Sequence, residues 1–417
     1  MLIDNLSFPS HTISKPNYIR ILFLVVLFMA FLYKFSFALG GEGISANYTF
    51  LLFPLGYILL YGKVRIPNDY FWGIMLIYLL VLIISTLYQF WYLDQLPRRI
   101  ISFVIFMTMF SFLFIKIDQE MELSFKLAVI VISVLLSLNT LKFYMDVGGA
   151  ALGFAAKDAV GGQRFGFVYV FALWITLFQN WKGVWNLLKY VCIFIILLGI
   201  LLTFSRSGIV ATLVSMMLFG IVTFYKLVKR GVVSGIIRWI FAALGCILVL
   251  VILSFIFPQI FEFFDERLFS FFAEGGVEKM DLENSEGSEG YRIYMLKMIL
   301  EFVSRNPLTG AGYLGVWIMF EDQSGSAHNQ YTDILFRTGI LGMATYIYIL
   351  VKLSVFLYKK DLGLFWGFVG MLIYGMFHET FKESHGGFIF AFLIGMLGQN
   401  KILNPIFDEN TSKINRI

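Results

Sequence analysis

Apolar runs of about 17–22 residues repeat along the chain, separated by short polar segments. Each run is as long as a helix must be to cross a hydrocarbon layer roughly 30 Å thick. Such a layer offers no water to backbone N–H and C=O groups, so runs of this kind close their hydrogen bonds internally as helices. Charged residues are only 14% of the 417 positions and the mean hydropathy is +0.81. A water-soluble protein carries about 25% charged residues and could not cover itself at this value. The expected fold is all-α, a polytopic membrane bundle of about twelve spans. They fall near 18–39, 47–62, 70–90, 100–117, 124–144, 164–180, 187–204, 208–226, 239–257, 333–357, 362–380 and 385–400.

The first run follows a polar N-terminus containing Pro9, and no small-residue cleavage site follows it, so it reads as a retained helix. The stretch from Tyr190 to Phe224 is too long for one crossing and is interrupted by "TFSRSG", which marks two helices joined by a tight turn. Lys and Arg flank the runs unevenly: Lys63, Arg65, Lys182, Lys189, Lys226, Lys229, Arg230, Lys359 and Lys360 share one side. Cytoplasmic loops hold such an excess, which puts both termini inside. The formal charge of +5 is explained by these flanks and calls for no nucleic acid. Cys192 and Cys246 each lie within an apolar run and behave as small hydrophobes, suggesting neither disulfide nor metal site.

Three parts follow from this count: spans 1–9 over residues 1–257, a long outer loop over 258–332, and the last three spans with a cytoplasmic tail over 333–417, all one membrane domain. The middle of the loop, "AEGGVEKMDLENSEGSEG", is acidic and Gly/Ser-rich. After it, Ile293, Leu296, Ile299, Leu300 and Val303 recur at helical spacing up to Asn306-Pro307, where a helix is expected to stop. This is an amphipathic helix expected to lie on the membrane face or the bundle.

Polar residues gather on the outer side. Arg206 stands in the tight turn with Ser205 and Ser207, and its guanidinium fork suits phosphate oxygens. An arginine anchored at the headgroups is the ordinary alternative. Arg292 opens the amphipathic helix, able to clamp an anion or pair with Glu289. Arg164 opens the sixth span as a further anion contact or an interfacial anchor. His328 has a proton affinity suited to a base, and Asn329 suits the cap of the next helix. Asp333 and Arg337, four apart, suit a structural pair on one helix face. "HETFKESHGG" adds His378, Glu379, Glu383 and His385 without a metal-ligand spacing, and their role is not assigned.

The segments "LLTFSRSGIVATLV", "EGYRIYMLKMILEFVSRNPLTGAGYLG" and "AHNQYTDILFRTGILGMATYIYIL", in this order, resemble the O-antigen polymerase and ligase family over about residues 160–358. The resemblance implies a metal-independent, cofactor-free membrane glycosyltransferase of lipopolysaccharide biosynthesis in a bacterial inner membrane, its site facing the periplasm. It would take a glycan from undecaprenyl diphosphate and pass it to a sugar hydroxyl. Carried over by position, Arg206 and Arg292 would bind the diphosphate, His328 would activate the acceptor, and Arg164 matches an arginine before a span in some relatives; Arg164, Ser205 and Asn329 are the expected substrate contacts. The Asn often found after the equivalent of Arg164 is missing here. A polymerase, joining one lipid-linked repeat unit to another with a chain-length-regulating co-polymerase as partner, is expected first. A ligase to lipid A core comes second, and a lipid-carrier flippase or transporter is the reading from another class. A transporter is expected to show internal repeats and midplane charges, and neither is evident in the sequence.

Overall fold

The computed structural model describes residues 15–31, 36–39, 42–45, 52–61, 111–147, 162–203, 205–232, 288–312, 329–381 and 384–398, with isolated positions between 73 and 84 and Gly235. Its helices are α1 (Lys15–Phe31), α2 (Leu52–Tyr61), α3 (Gln119–Val147), α4 (Gly162–Phe178), α5 (Trp185–Leu202), α6 (Arg206–Lys229), α7 (Ser288–Arg305), α8 (Gln330–Lys360), α9 (Leu362–Tyr374) and α10 (Ser384–Leu397). Four are long and apolar enough to cross a membrane, within α3, α5, α6 and α8, and shorter apolar helices lie within α1, α4, α9 and α10. The expected span 239–257, most of 70–90 and 100–117, and most of the segment 258–332 lie outside the described residues.

Two boundaries differ from the sequence reading. The first helix stops at Phe31 rather than 39, and an antiparallel hairpin, β1 (Ser36–Leu39) and β2 (Glu42–Ser45), follows with Leu39 opposite Glu42. The strands are separated in sequence by Gly40 and Gly41, a pair that suits a two-residue hairpin loop. The apolar residues before that pair had read as the end of the first span. The eleventh expected span, 362–380, also ends early, at Tyr374, and residues 375–381 form a turn.

α4 is the centre of the bundle. From Phe167 to Ile175 every side chain is buried, so the helix is apolar all round and surrounded by α3, α5, α6 and α9. α9 reaches it through Gly363, Gly367 and Gly370, where a Cβ would stand 3.0 Å from Phe178, 2.7 Å from Phe171 and 2.4 Å from Val170. Small residues of this kind let membrane helices approach closely, where packing drives association. Outward, α5 and α6 expose Leu187, Phe194, Leu213, Met217, Ile221 and Phe224, as suits helices whose solvent is lipid.

Polar contacts sort the helix ends into two rims. At the basic rim, Arg20 of α1 pairs with Asp118 and Glu120 at the start of α3. Lys126 donates to Glu122 and Asp361 at 2.7 Å each, and Lys360 pairs with Glu122 at 2.8 Å. Lys189 donates to the Leu177 carbonyl at 2.6 Å, and Lys226 to the Tyr358 hydroxyl at 2.8 Å. The rim therefore gathers the starts of α1, α3, α5 and α9 with the ends of α4, α6 and α8.

Asp361 caps α9 by accepting from the Leu364 N–H at 2.9 Å. Burial alone would raise its carboxyl. The Lys126 hydrogen bond and charge, with the Leu364 and Gly363 N–H groups, outweigh burial and hold it below the ordinary value. A depressed carboxyl stabilises the fold fully above its unfolded value, about 3.9, and loses that contribution as pH falls through the lower folded value. In detergent, thermal stability is expected to fall below about pH 4 partly through this group. Asp361→Asn should cost about 1–2 kcal/mol near neutral pH and flatten that acid limb. Unfolding curves of both proteins between neutral and acid pH check this, and an unchanged acid limb would exclude the contribution.

α8 is broken. Gly339 has φ 64° and ψ −167°, so the helix is interrupted between Thr338 and Ile340. A break of this kind removes helical bonds and leaves backbone groups needing new partners. The turn after α7 supplies them. Ala311 N–H donates to the Phe336 carbonyl at 2.7 Å, Gly312 N–H to the Arg337 carbonyl at 2.8 Å, and Ile340 N–H to the Pro307 carbonyl at 2.7 Å. Gly310, at φ 63°, is the partner surface. A Cβ there would stand 2.4 Å from the Phe336 carbonyl oxygen, and a Cβ on Gly339 2.5 Å from the Leu308 carbonyl. Beside this seam Met295, Ile299 and Val303 of α7 pack with Ala311 and Phe336, so α7 lies on the bundle rather than apart from it.

Candidate functional site

The opposite rim collects the polar residues singled out in the sequence. Ser205 is the N-cap of α6: its Oγ accepts from the Gly208 N–H at 3.3 Å and lies 3.0 Å from Ser207 Oγ. Arg206 is the first residue of that helix, so "TFSRSG" is an α5–α6 corner with its own cap. Arg164 is the third residue of α4. The two helix starts adjoin, because a Cβ on Gly208 would lie 3.7 Å from the Cα of Gly166. Arg164 and Arg206 each stand two residues before those glycines, in the opening turns of the two helices, which places both positions at this rim.

Tyr374, at the end of α9, joins these starts. It is fully buried, and its hydroxyl lies 3.4 Å from Ser205 Oγ. A Cβ on Gly166 would stand 2.7 Å from the Tyr374 ring, so α4 takes no larger residue there without moving. The next residue, Gly375, accepts from the Gln330 N–H at 2.8 Å, which brings the start of α8 to the same place. Tyr331 donates its hydroxyl to the Leu372 carbonyl at 2.8 Å, and Gln330 Oε1 accepts from the Phe381 N–H at 2.9 Å. Three helix N-termini, those of α4, α6 and α8, thus surround the end of α9.

Asn329 caps α8, its Oδ1 accepting from the N–H groups of Tyr331 and Thr332 at 2.9 and 3.2 Å. His328, one residue earlier, lies outside the described residues. Asp333 and Arg337 are buried on α8 and joined by Nε to Oδ2 at 2.7 Å. Arg292 is the fifth residue of α7, about one turn before Met295, which packs with Phe336. The structure therefore brings the Arg164, Arg206 and Asn329 backbones to one rim, and ties the Arg292 helix to α8 through the seam at Gly339. Glu383 is outside the described residues.

His385, left without a role above, is buried in an aromatic sleeve. Its ring stacks on Phe167 at 5.0 Å and 7°, with Phe165 at 4.8 Å and Phe31 at 5.5 Å. It joins α1, α4 and α10 at this rim. His378 stacks on Tyr374 at 4.9 Å. Tyr374 and Gln330 are the two residues of the rim that sequence reasoning missed. Tyr374 sits in an apolar run where tyrosine is unremarkable, and Gln330 adjoins two polar residues that had already claimed the position.

Each helix N-terminus carries about half a positive charge and N–H groups directed outward. Several of them beside two arginine positions form an electropositive corner suited to an anion. The Ser205 and Ser207 hydroxyls, buried and 3.0 Å apart, lie at the same corner. Such a corner can hold phosphate oxygens in place without reorganising as charge develops.

Residues 191–347 match the family model described as O-antigen ligase. The matched stretch runs from within α5 to within α8 and contains Ser205, Arg206, Arg292, Asn329, the Asp333–Arg337 pair and the seam at Gly339. Comparison with curated proteins gives no match. By this stretch, the chain is similar to the O-antigen ligase family.

Proposed function

We propose that the protein is a surface-polysaccharide polymerase that transfers a glycan from undecaprenyl diphosphate to a sugar hydroxyl of another lipid-linked repeat unit. One observation carries this reading: the starts of α4, α6 and α8 meet around Tyr374, with Arg164 and Arg206 in the first turns of α4 and α6, and the starts of α6 and α8 lie within the family-matched stretch. The basic residues of the other rim favour a cytoplasmic position for it, which turns this corner to the periplasm.

In the reaction the acceptor oxygen attacks C1 of the donor sugar while the C1–O bond to the diphosphate breaks. The bonding pair leaves with undecaprenyl diphosphate, and His328 takes the hydroxyl proton. Attack from the face opposite the leaving group inverts C1. Arg206 and Arg292 hold the oxygens on which negative charge grows, each charge-assisted hydrogen bond contributing about 1.5–3 kcal/mol. Arg164 and Ser205 steady the bound diphosphate, Asn329 fixes the helix start beside His328, and Asp333 with Arg337 keeps that start rigid. The scheme needs no metal, because fixed guanidinium groups supply the positive charge.

The description of the matching family favours a second reading, transfer of the finished chain to lipid A core. Purified protein in vesicles, given lipid-linked repeat units alone, separates the two. A ladder of products regularly spaced by one repeat is the expected result. Transfer only after lipid A core is added would support the ligase, and no transfer under either condition would reject both.

A further inference from the structure

We propose that the Asn306–Gly312 turn is a positioning latch for glycan transfer, with Gly310 and Gly339 as its positioning residues. The role in transfer rests on the function proposed above, whereas the latch itself rests on geometry. A continuous α8 would satisfy Phe336 and Arg337 carbonyls from its own next turn. Here the turn after α7 takes those two carbonyls, and the freed Ile340 N–H returns to Pro307. Three backbone bonds of 2.7–2.8 Å replace the helical bonding at the break, so the interruption is splinted rather than loose.

Only glycine fits either side of the seam. Both residues have φ near +64°, where a side chain is strained. Both also face backbone atoms of the other segment at 2.4–2.5 Å from where a Cβ would stand, and backbone cannot swing aside as a side-chain tip can.

The latch connects two otherwise separate parts of the site. On one side is α7, which carries Arg292 and packs Met295, Ile299 and Val303 along the seam. On the other is the short helix from Gln330 to Thr338. It is pinned at its start to Gly375 and Phe381, braced inside by Asp333–Arg337, and held at its end by Ala311 and Gly312. Arg337 belongs to both devices, its side chain to the ion pair and its carbonyl to the latch. Its position therefore fixes the Arg292 helix relative to the chain immediately after His328. α4 and α6 take no part in these bonds.

Gly310→Ala is the test. Protein in vesicles, with Cys192→Ala and Cys246→Ala as background, carries spin labels at Lys297→Cys on α7 and Ala344→Cys on the membrane half of α8, both exposed positions. Wild type should give one narrow label distance and the variant a broadened one. With lipid-linked repeat units as substrate, kcat should fall about 10- to 100-fold, as small misplacements of reacting groups do. KM for the donor should change less than about threefold, because the α4 and α6 starts are untouched. A purely structural lesion would instead lower the active fraction or move both constants.

Amide exchange in the wild type guards against a variant that fails to fold. The Ala311, Gly312 and Ile340 amides should exchange slowly, and fast exchange at all three overturns the latch. Broadened distances with unchanged kcat overturn its role in transfer. A wild type with no transfer activity removes that role together with the functional reading, while slow exchange would show that the latch stands apart from that failure.

Discussion

Arg206→Ala is expected to abolish glycan transfer, lowering the rate by about 10²–10³-fold or more, while the protein still inserts and accumulates. The position separates function from folding unusually well. Arg206 is the first residue of α6, whose cap is the neighbouring Ser205, so the cap bond to Gly208 survives the substitution. Alanine is also a good helix former, and stability should change by less than about 0.5 kcal/mol. What is lost is a fixed charge at the corner where α4, α6 and α9 meet. If the departing diphosphate is neutralised there, the loss appears mainly in the transition state and reduces kcat more than donor affinity. Arg206→Lys should recover little, since an ammonium cannot grip two oxygens in a fork. Transfer assays on wild type and both variants, alongside membrane content and thermal midpoints, check the whole pattern. Normal polymer from the alanine variant would remove Arg206 from the reaction.

The sequence displayed this corner only in part. "TFSRSG" announced a helix corner because polar residues interrupt an apolar stretch too long for one crossing, whereas the Ser205 cap emerged only from the structure. Asn329 was legible as a cap from its residue type. Tyr374 was not, since burial and contact with Gly166 are properties of packing between distant segments. The break at Gly339 was hidden as well. Apolar residues continue on both sides of it, so periodicity describes one helix, and a single glycine in such a run is no certain stop. Only the partner turn, far back in the chain, explains why the break holds. The β1–β2 hairpin was overlooked because aromatic and aliphatic residues before Gly40 suit a span as well as a strand. Asp333 and Arg337 were visible by spacing, yet spacing could not show that both are buried.

Burial decides what should follow from removing one member of that pair. Their side chains are 4% and 3% exposed, and Nε meets Oδ2 at 2.7 Å. Asp333→Ala removes the carboxylate that Arg337 Nε meets, and truncating one partner of a buried ion pair costs about 3–5 kcal/mol. Arg337→Ala does the reverse and should cost a similar amount. Replacing both removes the charges together, so the double variant should lose clearly less than the sum of the singles, by about 2 kcal/mol or more. Thermal or denaturant unfolding of all four proteins in the same detergent gives the coupling directly. Additive losses would mean that the two side chains act through separate surroundings. The pair also differs from the rim arginines in what it should do to the reaction. Asp333 and Arg337 brace a helix pinned at Gly375 and at Gly312, one near each of its ends. The double variant should therefore keep substantial transfer activity in protein that remains folded, whereas Arg206→Ala should lose activity in protein that is almost as stable as wild type. Opposite patterns of stability and rate in neighbouring parts of one rim distinguish a group that holds the site together from one that meets the substrate.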